Sequence, residues 1–425
     1  MKAGIFKPLK VRSFRSLFGA QLFSDLGNWL DFLAIQVIVA YQWGLDETAI
    51  AAVIVVIGLP WVIVGPFASV FVDRLPKKHV MIICLILRIV FVAGLFFAPN
   101  LYILLLFVFL KGTVAAIYDP ARQSAIRHTV TEDQLPEAVT LSQLSMNTMK
   151  IVGPALGGGI IALFGARSPF VVEMIGFTIA ILFLLTLPKI DDHKEHNDVE
   201  KQEREEKKTK YWGELLGGIH HISKTPLLKI SVLLSSIAFF IIFLYDGLFI
   251  FVAQKLGFSE GDFGILISAV GLGSVVGSLL MGNWTQWKRK PIHFMAAAAI
   301  FSGTVIILLG LGSMNVIELP HFGWIAGAFF LGLLGSGESV PYGFILQSET
   351  PKEMMGRVSA VATSVQTFSM LIAPTAGALL AKWIGVSAVL AGAGTATCLL
   401  GIIILLFIVK KIDNQKSTAE KQLQM

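Results

Sequence analysis

Five stretches of this chain, 48–72, 263–287, 291–317, 358–381 and 383–409, contain no Asp, Glu, Lys or Arg. Each is longer than the ~20 apolar residues a helix needs to cross a bilayer. A chain carrying several such stretches is a multi-span membrane protein. The remainder agrees: 55% of residues are hydrophobic, only 15% are charged, and the mean hydropathy is +0.74. Soluble domains rarely have that composition. The formal net charge of +6 does not indicate nucleic acid, because the basic residues sit in short loops beside the apolar stretches. Cys84 and Cys398, far apart in apolar surroundings, imply neither a disulfide framework nor a thiolate metal site. The basic start leads into a full-length span without a small-residue cleavage site, so no cleavable signal peptide is expected.

Hydropathy windows predict twelve helical spans at about 14–42, 48–72, 79–98, 101–118, 138–164, 168–188, 227–254, 261–284, 291–313, 322–346, 358–381 and 386–409. Basic residues gather at the N-terminus (Lys2, Lys7, Lys10, Arg12, Arg15) and on alternate connections: Arg74, Lys77 and Lys78; Arg122 and Arg127; Lys288, Arg289 and Lys290; Lys352 and Arg357. Lys410 and Lys411 begin the tail, whereas the opposite connections carry only Arg167, Lys255 and Lys382. The positive-inside rule then places both termini in the cytoplasm. The expected organisation is a six-helix bundle over 1–189, a charged linker with an amphipathic helix over 190–226, a second bundle over 227–409 and a tail over 410–425.

The linker is a mixed-charge, solvated tract whose His193 and His196 are not read as metal ligands. Beyond it, Trp212, Leu215, Leu216, Ile219 and Ile222 recur at helical spacing and predict an amphipathic helix on the membrane surface. Across it, the chain repeats itself. Pro120 and Pro154 are 34 residues apart, Pro341 and Pro374 are 33 apart, and the later proline of each pair lies in a glycine-containing run. Two halves with corresponding elements are a transporter architecture, with a central site exposed alternately to either side.

The first span is apolar yet carries Asp25, Asn28 and Asp31, which at 100° per residue form one polar stripe. A carboxylate in hydrocarbon must be paired, wetted or protonated, so the stripe is expected to face a cavity inside the bundle. Asp25 or Asp31 is a candidate proton carrier. Other apolar segments hold Arg88, Lys111, Lys150, Glu173, Asp246 and Glu338. In the first half three acids (Asp25, Asp31, Glu173) stand against three bases (Arg88, Lys111, Lys150), and mutual pairing is expected. Asp246 and Glu338 are the candidates of the second half.

Three motifs carry a family resemblance. The loop between spans two and three reads GPFASVFVDRLPKKHV, span five contains GPALGGG, and span four runs on into YDPARQSAIRHTV. Together they resemble the major facilitator superfamily over essentially the whole chain. The likeness is to its twelve-span drug exporters, in particular the macrolide-efflux and enterobactin-exporter-like group. The resemblance implies an all-α fold of two six-helix pseudo-repeats. It implies a cytoplasmic gate at Asp73, Arg74, Lys77 and Lys78, with Asp73 near the positive dipole end of span eleven. Gly153, Pro154, Gly157 and Gly158 then form an antiporter motif, in which proline kinks the helix and glycines admit a close neighbour. Arg88 and Glu173 resemble a family base in span three and a family acid in span six.

The expected function is proton-coupled export of a small amphipathic compound, such as a macrolide-like drug or a siderophore, by alternating access. The gradient drives it without a cofactor, and the partners are protons, the substrate and the lipid bilayer. A monomer in a bacterial plasma membrane is expected. Proton-coupled uptake and lysolipid flipping are alternatives, and a membrane sensor or scaffold is one of another class. The chain has no G-x-x-x-x-G-K-[ST] loop, no H-E-x-x-H pair and no G-x-S-x-G turn, so an enzyme is not expected.

Overall fold

The computed structural model describes residues 6–72, 75–188, 217–351 and 354–409. Among them every regular element is helical. The first part runs α1 (Arg12–Val37, continued by a wider π-type turn over Ile38–Gln42), α2 (Glu47–Ile63), α3 (Gly65–Val72), α4 (Lys77–Phe97), α5 (Leu101–Thr129), α6 (Leu135–Phe164) and α7 (Ser168–Thr186). The second part runs α8 (217–224), α9 (Pro226–Asp246), α10 (Phe249–Lys255), α11 (Glu260–Asn283), α12 (Pro291–Gly312), α13 (His321–Ser348), α14 (Met355–Ile384) and α15 (Val386–Ile403, continued over Ile404–Val409).

Ten helices among the described residues are long and apolar enough to cross a membrane. The chain is a multi-pass membrane protein. Two predicted spans are not among the ten. The second is broken at Val64 into α2 and α3, where Gly65 and Pro66 follow; proline lacks the donor that would continue the ladder. The fifth lies within α6. Predicted span seven, 227–254, divides at Gly247 into α9 and α10. Span four, predicted to stop at 118, runs on to Thr129, so Arg122 and Arg127 lie on a helix rather than in a loop.

Local sequence sets the ends. Asp46 and Asn100 adopt extended backbone and accept from the N–H groups of Ala49 and Ile103 at 3.2 and 3.1 Å, capping α2 and α5. Proline stands in the first turn of α6, α7, α9 and α12, where no N–H is needed. Helices α6 and α14 are each 30 residues long and end at Gly165 and Gly385, with φ of +87° and +84°. Only glycine enters that region without strain, so the two helices stop by the same device. Thr131 and Lys7 donate to Asp133 and hold its carboxyl below the ordinary range.

The chain divides into two compact units, 1–193 with 258–268, and 194–257 with 269–425. In the first, α1 packs against α6 and α7, α4 against α5 and α7, and α2 against α5. Helices α4 and α7 are tied at both ends. Lys78 donates to the carbonyls of Leu185 and Leu187 at 3.0 and 2.5 Å, and Arg167 to that of Phe96 at 2.6 Å. In the second unit α12 packs against α15 and α13, and α9 against α14. A side-chain Cβ at Gly303, Gly394 or Gly401 would meet backbone of the facing helix closer than 3 Å, so α12 and α15 touch backbone to backbone. Of the expected amphipathic helix, Trp212, Leu215 and Leu216 lie outside the described residues. In α8, Ile222 is buried in a cluster with Leu228, Tyr342 and Ile345, while Ile219 is exposed.

Candidate functional site

Two polar clusters lie inside the first unit, both built on α1. In the first, Lys111 of α5 bonds Asp31 Oδ2 of α1, and its ammonium lies 2.5 Å from Glu173 Oε1 of α7. All three side chains are buried, and Glu173 is 0% exposed. The Glu173 contact is an ion pair whose angle falls short of a hydrogen bond, and neither carboxylate oxygen of Glu173 meets a well-directed protein donor. One ammonium therefore serves two carboxylates. In a dry interior that arrangement carries an excess negative charge unless a second cation or a proton is present.

The second cation nearby is Arg88 of α4, which also acts on Glu173 electrostatically. It is 0% exposed. Its guanidinium carbon lies 4.3 Å from the centre of the Phe177 ring and 5.9 Å from that of Tyr118. Its Nη1 donates to Ser24 Oγ at 3.2 Å, while Nε and Nη2 meet no protein acceptor among the described residues. The planar cation is held by an aromatic face, not by a carboxylate.

The second cluster surrounds Asp25. Its Oδ2 accepts from Gln21 Nε2 at 2.9 Å and from Ser145 Oγ of α6 at 3.0 Å. Gln21 also donates to the Ser142 carbonyl and accepts from the Ser142 hydroxyl, both at 2.8 Å. From α5, Arg122 reaches Ser142 Oγ at 3.4 Å and pairs with Asp119 at 3.0 Å. Arg122 is 2% exposed and acts on Asp25 electrostatically. The neutral side chains of α6 join an acid on α1 to a base on α5.

The stripe expected on the first span thus splits. Asp31 turns towards α5 and α7, Asp25 towards α6, and Asn28 is exposed. Among the described residues the acids and bases do not pair one to one. Lys111 takes two acids, Arg88 makes no ion pair among the described residues, and the Lys150 side chain lies outside the description. The reason is reach: Lys111 lies between α1 and α7, whereas Arg88 lies beside Phe177, one turn from Glu173. Gln21, Ser142, Ser145, Tyr118 and Arg122 escaped the sequence reading. Four are uncharged, and Arg122 was counted among loop residues; its spacing from Lys111 and Tyr118, at i, i+7 and i+11 on one helix face, was the available signal.

Of the expected gate, Asp73 and Arg74 lie outside the described residues. Lys77 is buried and donates to the Leu75 carbonyl at 3.1 Å, and Lys78 caps α7 as above. In the glycine motif the Pro154 side chain is not described. A Cβ at Gly153 would overlap the Trp29 side chain, at Gly157 it would touch the Leu30 carbonyl, and at Gly158 it would overlap the Gly264 backbone. In the second unit, Glu338 is half-buried and accepts from Ser302 Oγ at 2.7 Å. Asp246, also half-buried, ends α9 beside Tyr245.

Comparison with known proteins bears on what these clusters serve. Residues 17–259 and 231–424 match the Major Facilitator Superfamily. Among curated relatives, an uncharacterised MFS-type transporter, YfiS of Bacillus subtilis, is 25% identical, covering 94% of both chains. Macrolide efflux protein A of Streptococcus pyogenes is 22% identical over 77% of this chain and 80% of its own. Enterobactin exporter EntS of Salmonella typhi is 26% identical over 83% of this chain and 81% of its own. With its polar residues buried inside an all-helical membrane fold and a family match along its length, the chain is a transporter of the Major Facilitator Superfamily.

Proposed function

We propose that this transporter is a proton-coupled exporter of a small amphipathic compound, working by alternating access. The observation that carries the reading is the buried trio Asp31–Lys111–Glu173, two carboxylates on one ammonium. Taking up a proton leaves one carboxylate to Lys111 and changes the net charge of the group that Lys111 and the nearby Arg88 otherwise balance. Releasing it restores an ion that must be balanced by rearrangement. A group that changes charge inside a protein favours different conformations in its two forms, and this is what coupling requires. One proton moving down 100 mV supplies about 2.3 kcal/mol. At ~1.4 kcal/mol per tenfold, that sustains roughly fifty-fold accumulation of a neutral compound.

The proposal includes twelve spans with both termini cytoplasmic, α2 with α3 and α6 completing the ten. The same proposal makes the chain a monomer in a bacterial plasma membrane, driven by the proton gradient without a cofactor. Asp73, Arg74, Lys77 and Lys78 serve as the cytoplasmic gate, and Gly153, Pro154, Gly157 and Gly158 as the close-packed antiporter helix. Asp25, Arg88 and Glu173 act with Asp31 in coupling, and Glu338 and Asp246 face the transport route of the second half. The export direction and the macrolide or siderophore class are supported by what macrolide efflux protein A and the enterobactin exporter are named for.

The test is a susceptibility and efflux panel of macrolides and catecholate siderophores, comparing a deletion strain carrying the wild-type chain, Asp31→Asn or an empty vector. The wild type should lower accumulation of at least one compound. Asp31→Asn should not, at equal membrane abundance. Wild-type efflux by Asp31→Asn, or faster entry of the compound with the wild type, contradicts the proposal.

A further inference from the structure

The two clusters stand at different depths. Asp31 pairs with Lys111, whereas Ser24 of α1 stands beside Tyr118 of α5. Both steps are seven residues along their helices, an axial gap of about 10 Å. No proton crosses that distance in one transfer. The gap is filled by side chains that each keep a polar atom without a hydrogen-bond partner among the described residues. Among the described residues, Arg88 Nε and Nη2, the Tyr118 hydroxyl and Arg122 Nε are buried without a hydrogen-bond partner, and the Glu173 carboxylate has the Lys111 ammonium as an ion-pair partner but no well-directed hydrogen bond. Tyr118 is 3% exposed, and Ser24 lies next to its hydroxyl without a hydrogen bond of proper geometry.

Buried donors and acceptors left by the protein are the places where ordered water sits, each molecule taking two to four polar partners. Here the unmatched donors lie between the Lys111-paired Glu173 carboxylate and the Asp25 network, and the Tyr118 hydroxyl is acted on by Arg88, Arg122 and Asp25 together. We propose that the Tyr118 hydroxyl, with water held by Arg88, is the relay that carries a proton between the Asp31–Lys111–Glu173 trio and Asp25. This rests on the proton-coupling reading above and specifies its route.

The transfer balances without any other reactant. A protonated Glu173 gives its proton to water, which passes one on to the Tyr118 oxygen. Tyr118 releases its own hydroxyl proton to Ser24, whose hydroxyl gives up its original proton to Asp25, and both hydroxyls then rotate back, Ser24 unchanged. Glu173 ends as carboxylate, Asp25 as acid, and Tyr118 and Arg88 end unchanged. The titratable and charged groups facing this route are Asp25 and Asp31 on α1, Cys84 and Arg88 on α4, Lys111, Tyr118, Asp119 and Arg122 on α5, and Glu173 on α7. From α6 come Ser142 and Ser145, which hold the receiving network in place.

Rapid-mixing infrared spectroscopy of the full chain in lipid nanodiscs tests the relay without knowing the substrate. After a jump to acid pH, a protonated-carboxyl band should grow in and should be lost in Asp31→Asn or Glu173→Gln. In Tyr118→Phe the same band should reach the same amplitude about a hundredfold more slowly or more, the scale of losing one positioned proton-transfer group. That substitution removes a hydroxyl that makes no well-directed hydrogen bond among the described residues, so the fold has little to lose. Ser24→Ala should also slow the band and supplies a second variant. In both variants the slowed phase should show a larger deuterium-oxide isotope effect than in the wild type, which a packing defect does not produce. Wild-type rates in Tyr118→Phe and Ser24→Ala overturn the relay alone. Absence of any band that depends on Asp31 or Glu173 in the wild type overturns the coupling reading beneath it.

Discussion

Arg88 lies over the ring of Phe177, its guanidinium carbon 4.3 Å from the ring centre. A fully buried cation is thus stabilised by a quadrupole instead of an opposite charge. Phe177 is one helical turn from Glu173 and also touches Gly27. The ring therefore positions Arg88 beside the acid without neutralising it. Phe177→Leu keeps an apolar side chain but loses the ring face, which should cost about 2 kcal/mol for a desolvated pair. Thermal unfolding in detergent should show a lower midpoint than the wild type. A smaller loss should appear for Phe177→Tyr, which keeps the face.

Lys111 holds Asp31 and Glu173 together, so Lys111→Met strands two buried carboxylates. Breaking a buried ion pair from one side costs about 3–5 kcal/mol. The variant should unfold well below the wild type at neutral pH. Adding Glu173→Gln should return part of the loss, because the two sites share one partner and their effects do not add. Additive losses in the double variant would show that Glu173 is held by something other than Lys111.

Gln21 makes three hydrogen bonds, to Asp25 and twice to Ser142. Gln21→Leu fills its space but leaves buried acceptors unmet, at about 1–3 kcal/mol each. A lower unfolding midpoint is expected, and Gln21→Glu should also fall, because it sets a second buried carboxylate against Asp25.

Adjacent glycines in span five should behave oppositely. A Cβ at Gly158 would strike the Gly264 backbone, which has no room to move, whereas one at Gly159 meets nothing within 4 Å. Gly159→Ala should be neutral or stabilise by about 0.5–1 kcal/mol through helix propensity. Gly158→Ala should lower both expression and efflux. Equal behaviour of the two would show that the glycines serve helix flexibility and not close approach.

Much of the fold was legible because hydrocarbon demands long uncharged helices, and such stretches are visible directly. Length was misjudged where charge was taken as the end of a span. Arg122 ends the apolar run but not α5, because Asp119 and Ser142 receive its charge within the bundle. The break at Val64 had its cause in plain view in Gly65 and Pro66, yet the hydropathy of 48–72 hides it. At the site, the charged members were evident by their rarity, since an ion in the membrane must have a reason. Their partners were not. Choosing between Lys111 and Arg88 for Asp31 depends on helix rotation, and a ring such as Phe177 is one aromatic residue among 31 phenylalanines. Gln21, Ser142 and Ser145 carry no charge and sit among apolar residues, so no pattern distinguished them.

The central claim is that the carboxylates at Lys111 couple proton entry to export. Its most direct measurement is accumulation of radiolabelled erythromycin in everted membrane vesicles under an imposed pH gradient, acid inside, with counterflow exchange measured on the same vesicles. The wild type should accumulate the macrolide and release protons as it does so; Asp31→Asn should exchange it in counterflow yet fail to accumulate it. Gradient-driven accumulation by Asp31→Asn at the wild-type rate would contradict the account.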